Sequence, residues 1–168
     1  MNLKTSLFAF ALLALVAFSA TAQEKASPAR TAEGTASGSK ITIKYSSPAV
    51  KGRTIWGDLV PLGQVWRAGA DDATTFTTTK DIKVEGKTLP AGTYSFFIIP
   101  GETESTLIFN KVAKQWGAFN YDSKEDALRV SVPSMQTSTM EERLVYEVKP
   151  DGFEVRWEYG KAAAKIGS

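Results

Sequence analysis

The side chains best suited to ligand binding lie close together in one stretch of the sequence, residues 51–72. Two arginines, Arg53 and Arg67, and two tryptophans, Trp56 and Trp66, are spread there among four glycines. A guanidinium group binds a carboxylate through two parallel hydrogen bonds, and an indole ring presents an apolar face to a sugar or another planar ligand. We therefore predict a long ordered loop that binds a small molecule, a glycan or a peptide through Arg53, Trp56, Trp66, Arg67, Asp71 and Asp72.

The same side chains also fit a purely structural role. A long irregular loop must satisfy its own backbone polar groups, and Arg and Asp side chains commonly serve that purpose. The tryptophans would then fill one end of the fold without binding anything. The two interpretations differ in whether Arg53 and Arg67 face accessible space or backbone carbonyls.

Histidine and cysteine are both absent, which excludes several kinds of catalytic and metal site. Neither a Ser-His-Asp or Cys-His nucleophile nor a zinc site of imidazole and thiolate ligands can be built. Carboxylates such as Asp58, Asp71 and Asp72 leave a histidine-free hydrolase as an alternative. Because adjacent residues of an extended chain point to opposite faces, Asp71 and Asp72 alone cannot flank one scissile bond. We predict no catalytic residue, no metal ion and no cofactor.

The elements that must position this loop are predicted to be strands, because their hydrophobic pattern has a period of two. Ile41, Ile43 and Tyr45 alternate with polar residues, as in a half-buried strand. Residues 93–99 are apolar on both faces, which is typical of a central strand. We expect Trp116, Phe119 and Tyr121 to contribute to the core or to a lid rather than to a stacking platform.

Two reversal signals predict antiparallel hairpins. Glu85-Gly86 reverses the chain within residues 82–89, and Pro150-Asp151-Gly152 joins residues 144–148 to residues 153–159. Pro fixes φ near the value that a turn requires, and Gly accepts positive φ. In the last strand we expect four residues to face inward, namely Phe153, Val155, Trp157 and Tyr159, and three to face solvent, namely Glu154, Arg156 and Glu158.

About eight short strands separated by turn signals predict an all-β fold, either an antiparallel β-sandwich or a partly closed barrel. This single domain is expected to cover residues 39–168. Residues 23–38 contain no large apolar side chain. They are expected to form a flexible lead-in or an added edge strand.

The N-terminus has the three parts of a secretory signal peptide, residues 1–22. Lys4 provides a basic start, residues 7–18 are apolar and uncharged, and Ala20-Thr21-Ala22 has the small-x-small cleavage pattern. The apolar part is too short for a transmembrane helix, which needs about 20 residues. We expect cleavage before Gln23 and a periplasmic or secreted mature protein without a membrane span.

The charge balance of the chain is nearly even. The formal net charge is +2, and basic residues are not clustered. This pattern gives no indication of binding to nucleic acid or to an anionic membrane surface. No feature of the sequence specifies an oligomeric state.

Several segments, in order along the chain, resemble one protein family. They include Ile55-Trp56-Gly57, residues 63–70 (GQVWRAGA), residues 89–95 (LPAGTYS) and Gln115-Trp116-Gly117. These segments look like DUF2911, a domain-of-unknown-function family known mainly from exported proteins of Bacteroidetes-type bacteria. The resemblance covers roughly residues 39–159. It implies an exported, β-rich fold and supplies no catalytic residues.

The sequence therefore predicts an exported envelope domain that binds a small molecule, a glycan or a peptide through residues 51–72 and is not an enzyme. Two alternatives remain, the histidine-free hydrolase and a structural accessory subunit of an envelope complex. A cavity lined by two or more carboxylates would favour the enzyme. A shallow aromatic surface would favour binding, and a broad apolar patch would favour a partner protein.

Overall fold

The computed structural model describes residues 25–167, and the predicted signal peptide, residues 1–22, lies outside this range. Among the described residues, no helix is long and apolar enough to cross a membrane. The ten strands found within residues 25–167 are, in chain order, β1 Ala29–Ala36, β2 Ser39–Ser46, β3 Thr74–Thr78, β4 Ile82–Val84, β5 Lys87–Leu89, β6 Gly92–Ile99, β7 Glu104–Asn110, β8 Asp126–Pro133, β9 Met135–Lys149 and β10 Gly152–Gly167. A short 3-10 turn, Ser123–Glu125, precedes β8.

The strands form two antiparallel sheets of a β-sandwich. The larger sheet has the order β1-β2-β3-β6-β7-β8, and the smaller has the order β5-β4-β10-β9. Neither sheet closes into a barrel, so the sandwich prediction is confirmed. The predicted hairpins β4–β5 and β9–β10 are both present. β8 is a strand that the sequence pattern did not reveal.

The core lies between the two sheets and is dominated by aromatic rings. Phe76, Phe96 and Phe109 from the larger sheet contact Phe153 from the smaller one, with ring centroids 5.2 to 6.5 Å apart. All four are at most 2% exposed. Each such buried side chain contributes about 1.5–3 kcal/mol to the stability of the fold.

Residues Ala29–Ala36 form the edge strand β1. An added edge strand was one of the two expectations for the lead-in segment, residues 23–38. β1 pairs with β2 over its whole length, from Ala29 opposite Ser46 to Ala36 opposite Ser39. The small side chains of β1 allow close packing on β9. A Cβ on Gly34 would lie 2.9 Å from Cγ1 of Val148, which is closer than Cβ atoms approach in practice.

The inward face of β10 follows the predicted alternation only as far as Trp157. Phe153, Val155 and Trp157 are buried, but Tyr159 is 51% exposed, so its predicted inward position is wrong. The register between β9 and β10 shifts on both sides of Glu158, whose φ is +53°. This bulge reverses the phase of the strand. Beyond it, the even-numbered residues are the buried ones, namely Ala162, Ala164 and Ile166.

The opposite face of β10 is also less exposed than predicted. Glu154 is only 4% exposed, because basic side chains cover it. Its Oε2 lies 2.7 Å from Nζ of Lys149 and 2.8 Å from Nζ of Lys161, and its Oε1 contacts Arg156. Arg156 also pairs with Glu147 at 2.9 Å. The prediction that Glu154 faces solvent is therefore wrong, because an ion-pair network replaces water there.

Candidate functional site

The loop between β2 and β3, residues 47–73, contains all six predicted site residues and is attached to both sheets. Val50 N donates to the carbonyl oxygen of Glu142 in β9 at 2.8 Å. Trp66 and Ile98, at the end of β6, exchange two backbone hydrogen bonds of 2.8 and 3.0 Å. The loop is irregular, but these bonds fix its position between the sheets.

The backbone next to Arg67 is held by the carbonyl oxygen of Ala68. This oxygen accepts hydrogen bonds from Thr74 Oγ1 at 2.9 Å and from the hydroxyl of Tyr146 at 2.7 Å. Burial raises the pKa of Tyr146 well above its usual value, so the hydroxyl keeps its proton. Only glycine fits at position 69, because a Cβ atom there would lie 2.9 Å from Thr74 Oγ1. These contacts place Arg67 on a rigid support.

Three indole rings form a tryptophan cluster, defined as Trp56, Trp66 and Trp157. Trp66 and Trp157 are stacked with centroids 5.9 Å apart and planes at 15°. Trp56 meets both edge-on, at 5.7 and 6.3 Å, and its Nε1 donates to the carbonyl oxygen of Trp157 at 3.1 Å. The cluster thus joins the loop to β10.

A cavity of about 270 Å³ lies beside the loop and carries basic side chains. Its lining includes Lys51, Arg53 and Arg67 together with Trp66 and Trp157. The remaining lining residues are small or apolar, and neither aspartate nor glutamate is among them. We call it the cationic cavity.

The two arginines of the cationic cavity differ in their hydrogen bonding. Arg53 donates from Nε to the carbonyl oxygen of Val50 at 3.0 Å and from Nη2 to that of Ala49 at 2.6 Å. Arg53 therefore stabilises the loop as well as lining the cavity. Arg67 is partly buried, and its Nε is fully buried without a hydrogen-bond partner among the described residues. The buried Nε1 of Trp157 also lacks a partner there.

Asp71 and Asp72 do not line the cationic cavity. Asp71 has a φ of +58°, its carbonyl oxygen accepts from Gly117 N at 3.2 Å, and its carboxylate lies 3.7 Å from Nζ of Lys25. Asp72 forms an isolated antiparallel bridge with Trp116. Both residues belong to the turn that leads into β3.

Of the six predicted residues, the structure brings together Arg53, Trp66 and Arg67. Trp56 adjoins them through the tryptophan cluster but lines a different cavity. Trp157 was predicted as a core residue and not as a member of this site. It reaches the cavity from a strand about 90 positions later in the sequence, and only the fold relates the two segments.

The aromatic residues after β7 do not all pack as expected. Trp116 is 60% exposed and Phe119 is 82% exposed, so neither belongs to the core, which was one of the two roles expected for them. Tyr121 packs against Phe97 with centroids 5.1 Å apart. Gly117, between the two exposed rings, has a positive φ of 62°, and that turn directs the segment outward.

No group of three or more acidic side chains is placed to hold a metal ion within residues 25–167. Asp58, like Asp71 and Asp72, lines neither the cationic cavity nor the cavity that Trp56 lines. The carboxylates considered for a hydrolase are therefore not gathered at either cavity.

The chain is similar to one described protein family over nearly all of the residues in the structure. The model of that family, described as a protein of unknown function (DUF2911), matches residues 27–166. The match begins before β1, ends within β10 and includes the whole β2–β3 loop. No curated protein and no solved structure gives a significant match to the chain.

Proposed function

This chain belongs to the DUF2911 family, whose description assigns no activity, and we propose that it is a binding module for a small carboxylate-bearing molecule. The ligand site is the cationic cavity. Export from the cytoplasm is part of the proposal, and it is supported by the signal-peptide pattern of residues 1–22. The protein would then bind its ligand in the periplasm or outside the cell.

The unpaired guanidinium of Arg67 carries the proposal. Burying a polar group without a partner costs about 1–3 kcal/mol, and more for a charged one. Arg67 lines a cavity, and its buried Nε has no acceptor among residues 25–167. A carboxylate in the cavity would accept hydrogen bonds from the Nη groups of Arg67, which are not among the buried atoms.

The charge of the cavity favours an anion. Lys51, Arg53 and Arg67 contribute positive charge, and no acidic residue in the lining balances them. A guanidinium and a carboxylate form charge-assisted hydrogen bonds, which are roughly twice as strong as neutral ones.

The size and the indole rings of the cavity restrict the ligand further. A volume of about 270 Å³ is near the lower end of the range for small-molecule sites, roughly 300–1,000 Å³. Trp66 is partly exposed and provides apolar surface on which a planar group can pack, and Trp157, which is 1% exposed, is stacked on it. A compact acid with one ring therefore fits better than an extended glycan or peptide.

The test is a comparison of benzoate, benzamide and benzyl alcohol as ligands of the mature protein, by thermal shift and by calorimetry. We expect benzoate or a related aromatic acid to bind and to stabilise the fold by mass action. The neutral amide and the neutral alcohol should not bind. Failure of every carboxylate in such a series to bind would exclude the proposal.

Arg67→Gln tests the assigned residue. Loss of one charge-assisted interaction should weaken carboxylate binding about tenfold or more, because such a bond contributes roughly 1.5–3 kcal/mol. The denaturation midpoint should not fall, since the wild-type Nε has no protein partner to lose. Arg30→Gln is the matched control, because Arg30 is exposed on β1 and does not line the cavity. If Arg67→Gln and the wild type bind the carboxylate with equal affinity, Arg67 is not part of the site.

A further inference from the structure

A second and larger cavity is separated from the cationic cavity by the tryptophan cluster. It has a volume of about 480 Å³, within the usual range of ligand sites, roughly 300–1,000 Å³. The turn between β6 and β7, the junction of β8 and β9, and the bulged part of β10 form its walls. Trp56 belongs to this lining, whereas Trp66 and Trp157 line the cationic cavity.

The charge of the second cavity is opposite to that of the first. Glu102, Glu158 and Lys161 line it, but Nζ of Lys161 is paired with Oε2 of Glu154 at 2.8 Å. Within residues 25–167, neither Glu102 nor Glu158 has an ion-pair partner, and no side-chain hydrogen bond involves them. Two uncompensated carboxylates therefore face this space, and we call it the acidic cavity.

Apolar and aromatic surface lies beside these carboxylates. Trp56, Leu62, Met135 and Tyr159 contribute to the lining, and the last three are 38 to 51% exposed. Tyr159 is available there because the bulge at Glu158 turns it away from the core. The faces of Trp and Tyr rings attract cations electrostatically.

The two serine hydroxyl groups of the acidic cavity are already used within the protein. Ser134 Oγ donates to the carbonyl oxygen of Gly101 at 2.7 Å, which leaves it to accept from Ser105 Oγ at 2.8 Å. The cavity therefore offers carboxylates and aromatic faces, and its serine hydroxyls are not free to donate. This lining does not suit an anion, which the two carboxylates would repel.

We propose that the acidic cavity binds a small organic ammonium ion with an apolar substituent. The positive charge would lie near Glu102 and Glu158, and the apolar part would pack on Trp56 and Tyr159. A bare metal ion fits less well, because hard cations require six or more oxygen ligands and gain nothing from apolar surface. The site is independent of the carboxylate site, with which it shares no lining residue.

The direct test is titration of the mature protein with benzyltrimethylammonium and with benzyl alcohol, followed through the indole N–H resonance of Trp56. The resonance is assigned by its absence in Trp56→Phe. The ammonium compound should shift it saturably, and the neutral alcohol should not. Added salt should weaken the binding, because the carboxylates are partly exposed to solvent. No saturable shift, or an equal shift with the alcohol, would overturn the proposal.

Substitutions of the two carboxylates test the assigned residues. Glu102→Gln and Glu158→Gln should each weaken ammonium binding about threefold, as expected for partly exposed charge pairs. Glu102→Lys should abolish ammonium binding without unfolding the protein, because Glu102 lies in an exposed turn. This variant keeps the test valid even if Glu158→Gln disturbs the bulge. Glu104→Gln is the matched control, since Glu104 is exposed nearby and does not line the cavity. Arg67→Gln should leave the affinity for the ammonium compound unchanged. If Glu102→Lys binds the ammonium compound as tightly as the wild type does, the proposal is overturned.

Discussion

Glu154 and Arg67 are both charged side chains with restricted access to solvent, but only one has its charge compensated by the fold. Glu154 contacts Lys149, Arg156 and Lys161, whereas Arg67 has a buried nitrogen without a partner among the described residues. Breaking a compensated buried pair is costly because it leaves one charge alone. Glu154 therefore serves stability, whereas the role that we propose for Arg67 is recognition.

Glu154 should make the stability of the protein depend on pH in the acid range. Burial raises the pKa of Glu154, but hydrogen bonds from Lys149 and Lys161 and the charges of Lys161 and Arg156 lower it to about 2. Because this pKa is depressed in the folded state, its contribution to stability is present above about pH 4.5 and is lost as the pH falls towards 2. The contribution is at most about 3 kcal/mol.

Denaturant unfolding at pH 7 and pH 3 measures this contribution. Glu154→Gln should be less stable than the wild type at pH 7, and the gap should narrow at pH 3. Glu104→Gln serves as the control, because Glu104 is exposed. A gap between Glu154→Gln and the wild type that stays constant with pH would contradict the assignment.

At the scale of the strand, the bulge in β10 determines which aromatic residues stabilise the fold. Trp157 is 1% exposed and Tyr159 is 51% exposed, although both occupy the same phase of the sequence pattern. Trp157→Ala should cost roughly 3–5 kcal/mol, the range for truncating a buried aromatic side chain. Tyr159→Ala should cost far less, because the ring is already half in solvent.

Urea denaturation of the two variants distinguishes the bulged register from a regular one. If the strand were regular, both substitutions would greatly lower the free energy of unfolding. With the bulge, only Trp157→Ala should do so. Comparable losses of stability in the two variants would contradict the register shift at Glu158.

The hairpins were predictable because their turn residues have local requirements. Glu85-Gly86 adopts positive φ at both positions, 48° and 79°, and Pro150-Asp151-Gly152 joins β9 to β10 as expected. The bulge at Glu158 was not predictable from β10 alone. It depends on extra residues in β9. Glu158 and Gly160 are two positions apart in β10, but their partners in β9, Glu141 and Gln136, are five positions apart.

At the scale of the whole molecule, the predictable part of the candidate site is the part that is close in sequence. Arg53, Trp66 and Arg67 lie within one loop, and they line one cavity. Trp157 and the acidic cavity require β10, β6–β7 and β8–β9 to meet, which no local pattern encodes. Asp71 and Asp72 were included because of their charge, but their backbone serves the entry to β3.

Export is a property of the whole chain and remains a prediction. The mature protein should begin at Gln23, after Ala20-Thr21-Ala22. Intact-mass spectrometry of protein recovered from the native envelope or culture medium should show the loss of residues 1–22. Recovery there of a chain that still starts at Met1 would contradict signal cleavage.

The stacked indole rings of Trp66 and Trp157 have a consequence for spectroscopy. Aromatic chromophores held rigidly in an asymmetric environment produce circular dichroism in the near ultraviolet, whereas strands are seen in the far ultraviolet. The tryptophan part of the near-ultraviolet signal therefore reports chiefly on the junction between the loop and β10, since Trp116 is exposed. Loosening of that junction would be visible as a fading near-ultraviolet spectrum while the backbone signal of the sandwich persists.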